Sequence, residues 1–275
     1  MPKNPWIETF VKRGRKGYYP SIPASEEILM FEKLFKKLVR GKRDWKVLVL
    51  GATPFLRDIG LKYGCQVVAV DISIETILKM NEYMKYRDSN NEIVIKGNWL
   101  SLPIEDNYFD VVMADFSFNN VPAKAHHQLF RELARLLKQN GFFLTRQRVY
   151  IPEKKLMSFS EITRLFRDKK ISWRDWKYDA VFYSNDLFKR YNGKTKVFLW
   201  EKYFQALKKA YQKGEINKKE FLSMWCERNK IVTTLYTKSE WEVMFKRYFK
   251  ILMLTWCKVY ESSVAAPFYL GKVKK

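Results

Sequence analysis

The sequence predicts an α/β fold in which helices cover both faces of a mostly parallel β-sheet. Between residues 45 and 149, short apolar runs alternate with amphipathic helical patterns at the spacing of strand–helix–strand units. Two of the runs, 47–50 and 67–70, are apolar at every position, which is typical of strands that are buried on both faces. These observations favour a parallel sheet over a sandwich or a helix bundle.

The predicted elements follow one another closely along the chain. Strands are expected at residues 45–50, 66–70, 92–95, 109–114, 142–149, 251–259 and 267–272. Helices are expected at residues 25–41, 55–63, 74–87, 122–138 and 239–248. The pair Asn140 and Gly141 is predicted to end the fourth of these helices, because both residues favour a helix C-terminus.

Four segments are expected. Residues 1–45 form an N-terminal arm and helix, and residues 46–149 form a core built from strand–helix units. Residues 150–238 break the alternation and predict a helical insertion after strand five that is rich in aromatic residues. Residues 239–275 add a final helix and two strands to the core sheet. The run 15–20 is predicted to be either a lid or a loose arm.

The net charge of +23 is unevenly distributed. Residues 46–148 carry only +2, whereas residues 149–238 carry +11. A basic surface of this kind attracts RNA, DNA or a phosphorylated metabolite. The alternative is that a lysine-rich composition of the source genome is displayed on solvated helix faces. Both interpretations stay open at this point.

Several classes of protein are disfavoured by what the sequence lacks. There is no run of about 18 apolar residues, so no membrane partner or membrane span is predicted. The N-terminus does not have the pattern of a secretory signal. The three cysteines, Cys65, Cys226 and Cys257, are far apart and form no Cys-x-x-Cys pair, which argues against disulfides and a metal site. A cytoplasmic location is predicted.

Three loops that follow predicted strands indicate a binding site, because open α/β sheets bind ligands at the carboxyl ends of their strands. In the first loop, Gly51 allows a sharp turn and close ligand approach, and Thr53 is predicted to cap a helix that starts at Pro54. The free N–H groups of that helix start favour an anion such as a carboxylate. The alternative is a purely structural turn.

The second loop starts with Asp71, which ends strand two 20 residues after Gly51. An acid at this place accepts hydrogen bonds from ribose hydroxyls in nucleoside-binding folds. The alternative is a helix cap, a role that Ser73 is also suited to fill. In the third loop, Asn98 offers donors and acceptors to a base edge, and Trp99 is either a stacking surface or a core residue.

These loops belong to a longer series of motifs. The segments VLVLGATP, VVAVDIS, GNWLSLPIEDNYFDVVMADFSF and LARLLKQNGFFLTRQRV resemble the motifs of class I S-adenosylmethionine-dependent methyltransferases over roughly residues 28–149. The resemblance implies a Rossmann-like seven-stranded, mostly parallel sheet and S-adenosylmethionine as the cofactor. It implies nine cofactor-binding residues: Gly51, Ala52, Thr53, Asp71, Ile72, Asn98, Trp99, Asp115 and Ser117.

The resemblance also implies a role for each group of these residues. The residues of the first loop line the methionine and ribose, and Asp71 holds the ribose hydroxyls. Ile72 packs on the adenine, and the third loop faces the adenine edge. Asp115 and Ser117 lie beside the sulfonium. The usual glycine-rich turn is reduced to Gly51, which disfavours a nicotinamide oxidoreductase because a pyrophosphate needs those glycines.

The predicted function is methyl transfer by in-line displacement to a small molecule or a nucleic acid. The alternative is a non-catalytic RNA-binding protein with a Rossmann-like domain. No catalytic residue is assigned. His126 and His127 are either a base near the acceptor or packing residues. The insertion is expected to line the acceptor pocket. If the acceptor is a small apolar molecule, truncation of Tyr183 is expected to lower the activity.

Overall fold

The structure is a computed structural model that describes residues 23–41, 44–185, 191–224 and 232–275. The part of the predicted arm before residue 23, including the run 15–20, lies outside the described residues. Cys226 and the aromatic residue Trp225 of the insertion also lie outside them.

Each of the seven predicted strand segments overlaps a strand of the structure, and further short strands lie in the insertion. In chain order they are β1 Lys46–Leu50, β2 Gln66–Asp71, β3 Glu92–Lys96, β4 Phe109–Asp115, β5 Leu137–Arg146, β6 Val149–Tyr150, β7 Tyr191–Asn192, β8 Val197–Leu199, β9 Val232–Thr234, β10 Tyr236–Thr237, β11 Phe249–Thr255 and β12 Phe268–Val273.

The α-helices of the described residues follow the same numbering. They are α1 Ser25–Val39, α2 Pro54–Lys62, α3 Ile74–Met80, α4 His126–Leu136, α5 Phe159–Arg167, α6 Trp173–Phe182, α7 Trp200–Gln212, α8 Lys218–Met224 and α9 Lys238–Tyr248. None of these helices is long and apolar enough to cross a membrane.

Seven strands form one sheet in the order β11-β12-β5-β4-β1-β2-β3. Strands β1 to β5 pair in parallel, and β12 pairs antiparallel with both β5 and β11. The predicted seven-stranded, mostly parallel sheet is therefore confirmed. In this order the carboxyl ends of β1, β2 and β4 lie next to one another at one edge of the sheet.

Helices cover both faces because side chains alternate along each strand. Val47 and Val49 of β1 point into an apolar cluster that contains Phe31 of α1 and Leu56 of α2. Leu48 and its neighbours on the opposite face pack in a second cluster, which contains residues of α4 and α9. The uniformly apolar strand sequences follow from this burial on both sides.

Two predicted boundaries are wrong. The helix expected at 74–87 ends at Met80, because the next residues form a 3₁₀ turn and the Asp58 carboxylate accepts the backbone N–H groups of Lys85 and Tyr86. The helix expected to end at Asn140 and Gly141 instead stops at Leu136. Residues 138–141 lie in an irregular first part of β5, where the register with β4 shifts.

The insertion forms its own apolar core. Helices α5 to α8 and the short sheet β7-β8-β9 surround a cluster of buried aromatic residues, while β6 and β10 pair beside the main sheet. The insertion thus contains short strands as well as the helices that its sequence predicts. Most of its aromatic residues stabilise this core and do not face a ligand site.

Candidate functional site

One cavity of about 710 Å³ opens at the carboxyl ends of β1, β2 and β4. The strands deliver their last residues to it together, because the sheet order makes them neighbours. All nine residues that the resemblance singled out line this cavity: Gly51, Ala52, Thr53, Asp71, Ile72, Asn98, Trp99, Asp115 and Ser117. The structure therefore brings the three predicted loops into one site.

Gly51 forms the turn between β1 and α2. Its φ is +102°, a left-handed value that an L side chain rarely adopts, and its N–H donates to the Val70 carbonyl at 2.8 Å. A Cβ here would stand 3.5 Å from the Trp99 ring and 3.7 Å from Asp71 Oδ2. Glycine thus leaves a narrow approach between the Trp99 ring and the Asp71 carboxylate open.

Asp71 lies at the edge of β2 and is partly buried. Its Oδ1 accepts the Ser73 N–H at 2.9 Å, while Oδ2 faces the Gly51 turn. Burial raises the pKa of the carboxyl, and backbone N–H groups that donate to it oppose the shift. The cap of α3 is Ser73, whose hydroxyl accepts the Thr76 N–H at 3.1 Å. Asp71 is therefore not the helix cap that the alternative interpretation required.

Ile72, Trp99 and Asn98 form the side of the cavity next to β2 and β3. The Ile72 side chain is 61% exposed, so it offers an apolar surface that a ligand in the cavity would cover. The Trp99 indole N–H donates to the Val70 carbonyl at 2.7 Å, which fixes the ring beside Gly51. Asn98 Oδ1 accepts the Leu100 N–H at 3.1 Å and holds its own loop.

Ser117 and Asp115 form the side next to β4. The buried Ser117 hydroxyl donates to the Leu50 carbonyl at 3.0 Å. The Asp115 carboxylate accepts two hydrogen bonds from Arg146, at 2.8 and 3.0 Å, and Arg146 also pairs with Glu27 of α1 at 2.5 Å. Burial raises the pKa of the Asp115 carboxyl, and the Arg146 guanidinium opposes the shift. Asp115 is thus held in an ion pair with Arg146.

Three residues that line the cavity were not predicted from the sequence. Arg148 from the end of β5, together with Trp200 and Thr233 of the insertion, lines the same cavity. The Trp200 indole N–H donates to the Thr233 hydroxyl at 2.8 Å. No spacing rule links residues 200 and 233 to Gly51. Only the general expectation that the insertion faces the site pointed toward them.

The histidines do not line the cavity. His126 is buried at the start of α4, and its Nε2 lies 2.9 Å from the carbonyl oxygens of both Phe118 and Val121, so Nε2 carries the proton. Burial lowers the pKa of His126 to about 4. His127 Nδ1 lies 3.1 Å from the Tyr248 hydroxyl. Both are packing residues, as one of the two interpretations held.

Tyr183 is not a pocket residue. It is fully buried in the core of the insertion, where its hydroxyl accepts the Ile151 N–H at 2.9 Å. Truncation of Tyr183 would damage this core itself, so a loss of activity in such a variant would not report a contact between the ring and the acceptor. Among the described aromatic residues of the insertion, Trp200 is the one that lines the cavity.

The core of the chain is similar to known proteins. Residues 50–145 match the family model described as "Methyltransferase domain". Residues 50–145 are therefore similar to this domain, and the match covers less than half of the chain. A demethylmenaquinone methyltransferase of Listeria welshimeri is 35% identical over 102 residues, which are 37% of this chain and 39% of the relative. The chain thus spans about two fifths of the length of this curated relative.

Solved structures with the same fold superpose on most of this chain. The N-methyltransferase NodS from Bradyrhizobium japonicum, in complex with S-adenosyl-L-homocysteine, superposes with a TM-score of 0.54 over 96% of this chain and 94% of NodS, at 7% identity. A Rhodobacter sphaeroides protein named for Zn-dependent alcohol dehydrogenases gives 0.61 over 100% of both chains, at 13% identity. Such distant likeness establishes the fold alone. In the described part of the chain, no group of three or more acidic, histidine or cysteine side chains is placed to hold a metal ion.

Proposed function

We propose that this protein is a methyltransferase that binds S-adenosylmethionine in the 710 Å³ cavity and methylates an acceptor placed against the insertion. The observation that carries the proposal is the convergence of the Gly51 turn, the Asp71 carboxylate and the Trp99 ring at the carboxyl ends of neighbouring strands. The methyltransferase family of residues 50–145 supports the same activity.

The residues of the cavity suit this cofactor. Asp71 Oδ2 faces the cavity as an acceptor for the ribose hydroxyls, and the exposed Ile72 side chain suits the face of an adenine. Thr53 occupies the cap position of α2 without using its side chain as the cap, so the N–H groups of this first turn lie beside the cavity. They suit the carboxylate of the methionine part.

The chemistry needs little beyond alignment. S-adenosylmethionine supplies a methyl group that is already activated by its positive sulfur, so placing a nucleophile about 3–3.5 Å away in line provides most of the rate. Ser117, Arg148 and Trp200 line the part of the cavity next to β4, β5 and the insertion. We place the acceptor there, since Asp71 and Ile72 on the other side suit the nucleoside.

The alternative of a non-catalytic RNA-binding protein rests on the basic charge of residues 149–238. That charge does not account for the cavity at the carboxyl ends of the strands with Asp71 in its lining, which the methyltransferase proposal does. We also infer a cytoplasmic location, which the free thiols Cys65 and Cys257 support.

Mass spectrometry of the freshly purified protein tests the proposal. We expect an S-adenosyl nucleoside to co-purify, and added S-adenosylhomocysteine to raise the melting temperature by mass action. An RNA that binds with a steep salt dependence, with no melting shift from either S-adenosyl ligand, would select the alternative instead.

A further inference from the structure

The loop that follows β4 and the insertion meet at the acceptor side of the cavity. Asn119 is buried in this loop, and its Nδ2 donates to the Thr234 carbonyl of β9 at 2.7 Å. The Thr234 hydroxyl in turn donates to the Val121 carbonyl of the loop at 2.7 Å. Asn120 and Thr233, which are the chain neighbours of these bonded residues, both line the cavity. The two bonds therefore bring Asn120 and Thr233 to the same part of its wall.

The backbone of this loop is held in place. The loop contains a 3₁₀ turn at Ser117–Asn120. The buried His126 Nε2 lies 2.9 Å from the carbonyl oxygens of both Phe118 and Val121, so its N–H binds the loop before and after Asn120. The position of Asn120 on the wall is thus fixed by the bonds of its neighbours.

Other polar side chains of this wall use their donors within the protein. The Ser117 hydroxyl donates to a backbone carbonyl of β1 at 3.0 Å. Asn119 Oδ1 accepts the Arg148 N–H at 3.1 Å, and Asn119 Nδ2 donates to the Arg148 carbonyl at 3.1 Å in addition to its bond with β9. These side chains shape the wall and have no donor left for a ligand.

Thr233 has a hydroxyl proton left to donate. The Trp200 indole nitrogen is a donor only, so the Thr233 oxygen is the acceptor in their bond of 2.8 Å. No described residue accepts a hydrogen bond from this hydroxyl. The residue is 7% exposed, and a buried donor without an acceptor is unfavourable. A carbonyl oxygen of a ligand in the cavity would satisfy it.

Asn120 has its whole carboxamide available. The residue is exposed where it lines the cavity, and its side chain forms no hydrogen bond with the described residues. A carboxamide offers an acceptor oxygen and two N–H donors at once. It therefore suits a ligand in which an N–H lies beside a carbonyl.

The rest of this wall is apolar and has balanced charge. Phe116, Val121 and Pro122 contribute apolar surface. Asp115 and Arg148 are the charged ones among the described residues that line this side, and their charges are opposite. Burial raises the pKa of the Asp115 carboxyl, and the attraction of Arg148 is among the effects that oppose the shift. An ionic ligand would find no excess charge here to compensate its own, so the wall favours an uncharged one.

We propose that Thr233 and Asn120 bind the methyl acceptor, and that this acceptor is a small, uncharged and largely apolar molecule with a carboxamide-like group. This inference rests on the proposed function. The Thr233 hydroxyl donates to the carbonyl oxygen of the acceptor, and the Asn120 carboxamide accepts its N–H. Thr233 belongs to the insertion and Asn120 to the core, so the acceptor is recognised where the two parts of the fold meet.

Calorimetry on the full chain saturated with S-adenosylhomocysteine tests the proposal with three probes of matched shape. They are 2-naphthamide, its methyl ketone analogue 2-acetonaphthone, and the anion 2-naphthoate. The ketone keeps the carbonyl and lacks the N–H. We expect the wild type to bind the amide about three- to ten-fold more tightly than the ketone, as for one net hydrogen bond, and also more tightly than the anion.

Two substitutions separate the two contacts. Asn120→Leu should bind the amide and the ketone equally. Thr233→Val should weaken both by about three- to ten-fold and keep the preference for the amide, whereas Thr233→Ser, which retains the hydroxyl, should bind nearly like the wild type. The matched controls Asn90→Leu and Thr195→Val change exposed residues that do not line the cavity, and they should bind like the wild type.

Several results would overturn the proposal. They are equal binding of amide and ketone by the wild type, tighter binding of the anion than of the amide, no binding of any probe, and displacement of the amide by a short single-stranded RNA. An undiminished preference in Asn120→Leu or undiminished affinity in Thr233→Val would overturn it as well. The heat of S-adenosylhomocysteine binding, measured first on each variant, reports separately on folding and on the proposed function. If that heat is absent from the wild type, the proposed function fails whatever the probes do.

Discussion

Replacing the Asp71 carboxylate tests how the cavity recognises a nucleoside. In Asp71→Ala the acceptor oxygen that faces Gly51 is lost, together with the hydrogen bond from the Ser73 N–H. Removing a partly buried hydrogen-bond acceptor costs about 1–3 kcal/mol, which is about a 5- to 150-fold loss of affinity. The cap of α3 is the Ser73 side chain, so the helix should survive and the loss should appear in binding.

Isothermal calorimetry with S-adenosylhomocysteine measures the loss, and thermal unfolding of the same samples reports on the fold. Asp88→Asn is the matched control, because the Asp88 side chain is 94% exposed and does not line the cavity. It should bind the ligand like the wild type. If Asp71→Ala is folded and binds with unchanged affinity, Asp71 only shapes its loop and the ribose assignment is wrong.

Three further perturbations have defined outcomes. Gly51→Val should cost about 1–3 kcal/mol of stability through its positive φ, and its side chain should weaken S-adenosylhomocysteine binding; unchanged melting and affinity would contradict this. Arg146→Met leaves two buried carboxylates without their partner and should lower the free energy of unfolding in urea by about 3–5 kcal/mol, and a loss below about 1 kcal/mol would refute the network. The unfolded state binds a proton at His126 below about pH 6.5, whereas the native state binds it only below about pH 4. The free energy of unfolding should therefore fall by about 3 kcal/mol as the pH is lowered from about 6.5 to about 4. His126→Gln should lose this pH dependence in urea titrations, and an unaltered dependence would contradict the assignment.

The sheet was predictable because its signals are local. The central parts of β1 and β2 are short, uniformly apolar runs, and turn residues such as Gly51 separate the strands from helices. The boundaries that failed were set by contacts distant in sequence. Residues after Met80 leave the helix where the Asp58 carboxylate binds their backbone, and β5 begins before Gly141 because it pairs with β4. Helical periodicity carries no information about such partners.

The predicted loops meet in the cavity, because the carboxyl ends of neighbouring parallel strands share one edge of the sheet. The ion pairs, and the part of the cavity wall that the insertion contributes, could not be predicted from the sequence. Nothing in the spacing of Asp115 and Arg146 shows that they bind each other, and Trp200 reaches the site only through the fold of the insertion. The abundance of aromatic residues in the insertion mainly reflects its separate core.

The central claim is that the cavity at Gly51 and Asp71 binds an S-adenosyl ligand. Calorimetric titration of the wild-type protein with S-adenosylhomocysteine, and in parallel with NADH, tests it most directly. We predict binding of S-adenosylhomocysteine in the micromolar range, which is about −8 kcal/mol, and no heat with NADH, whose pyrophosphate needs the glycines that this turn lacks. Heat with NADH and none with S-adenosylhomocysteine would contradict the claim.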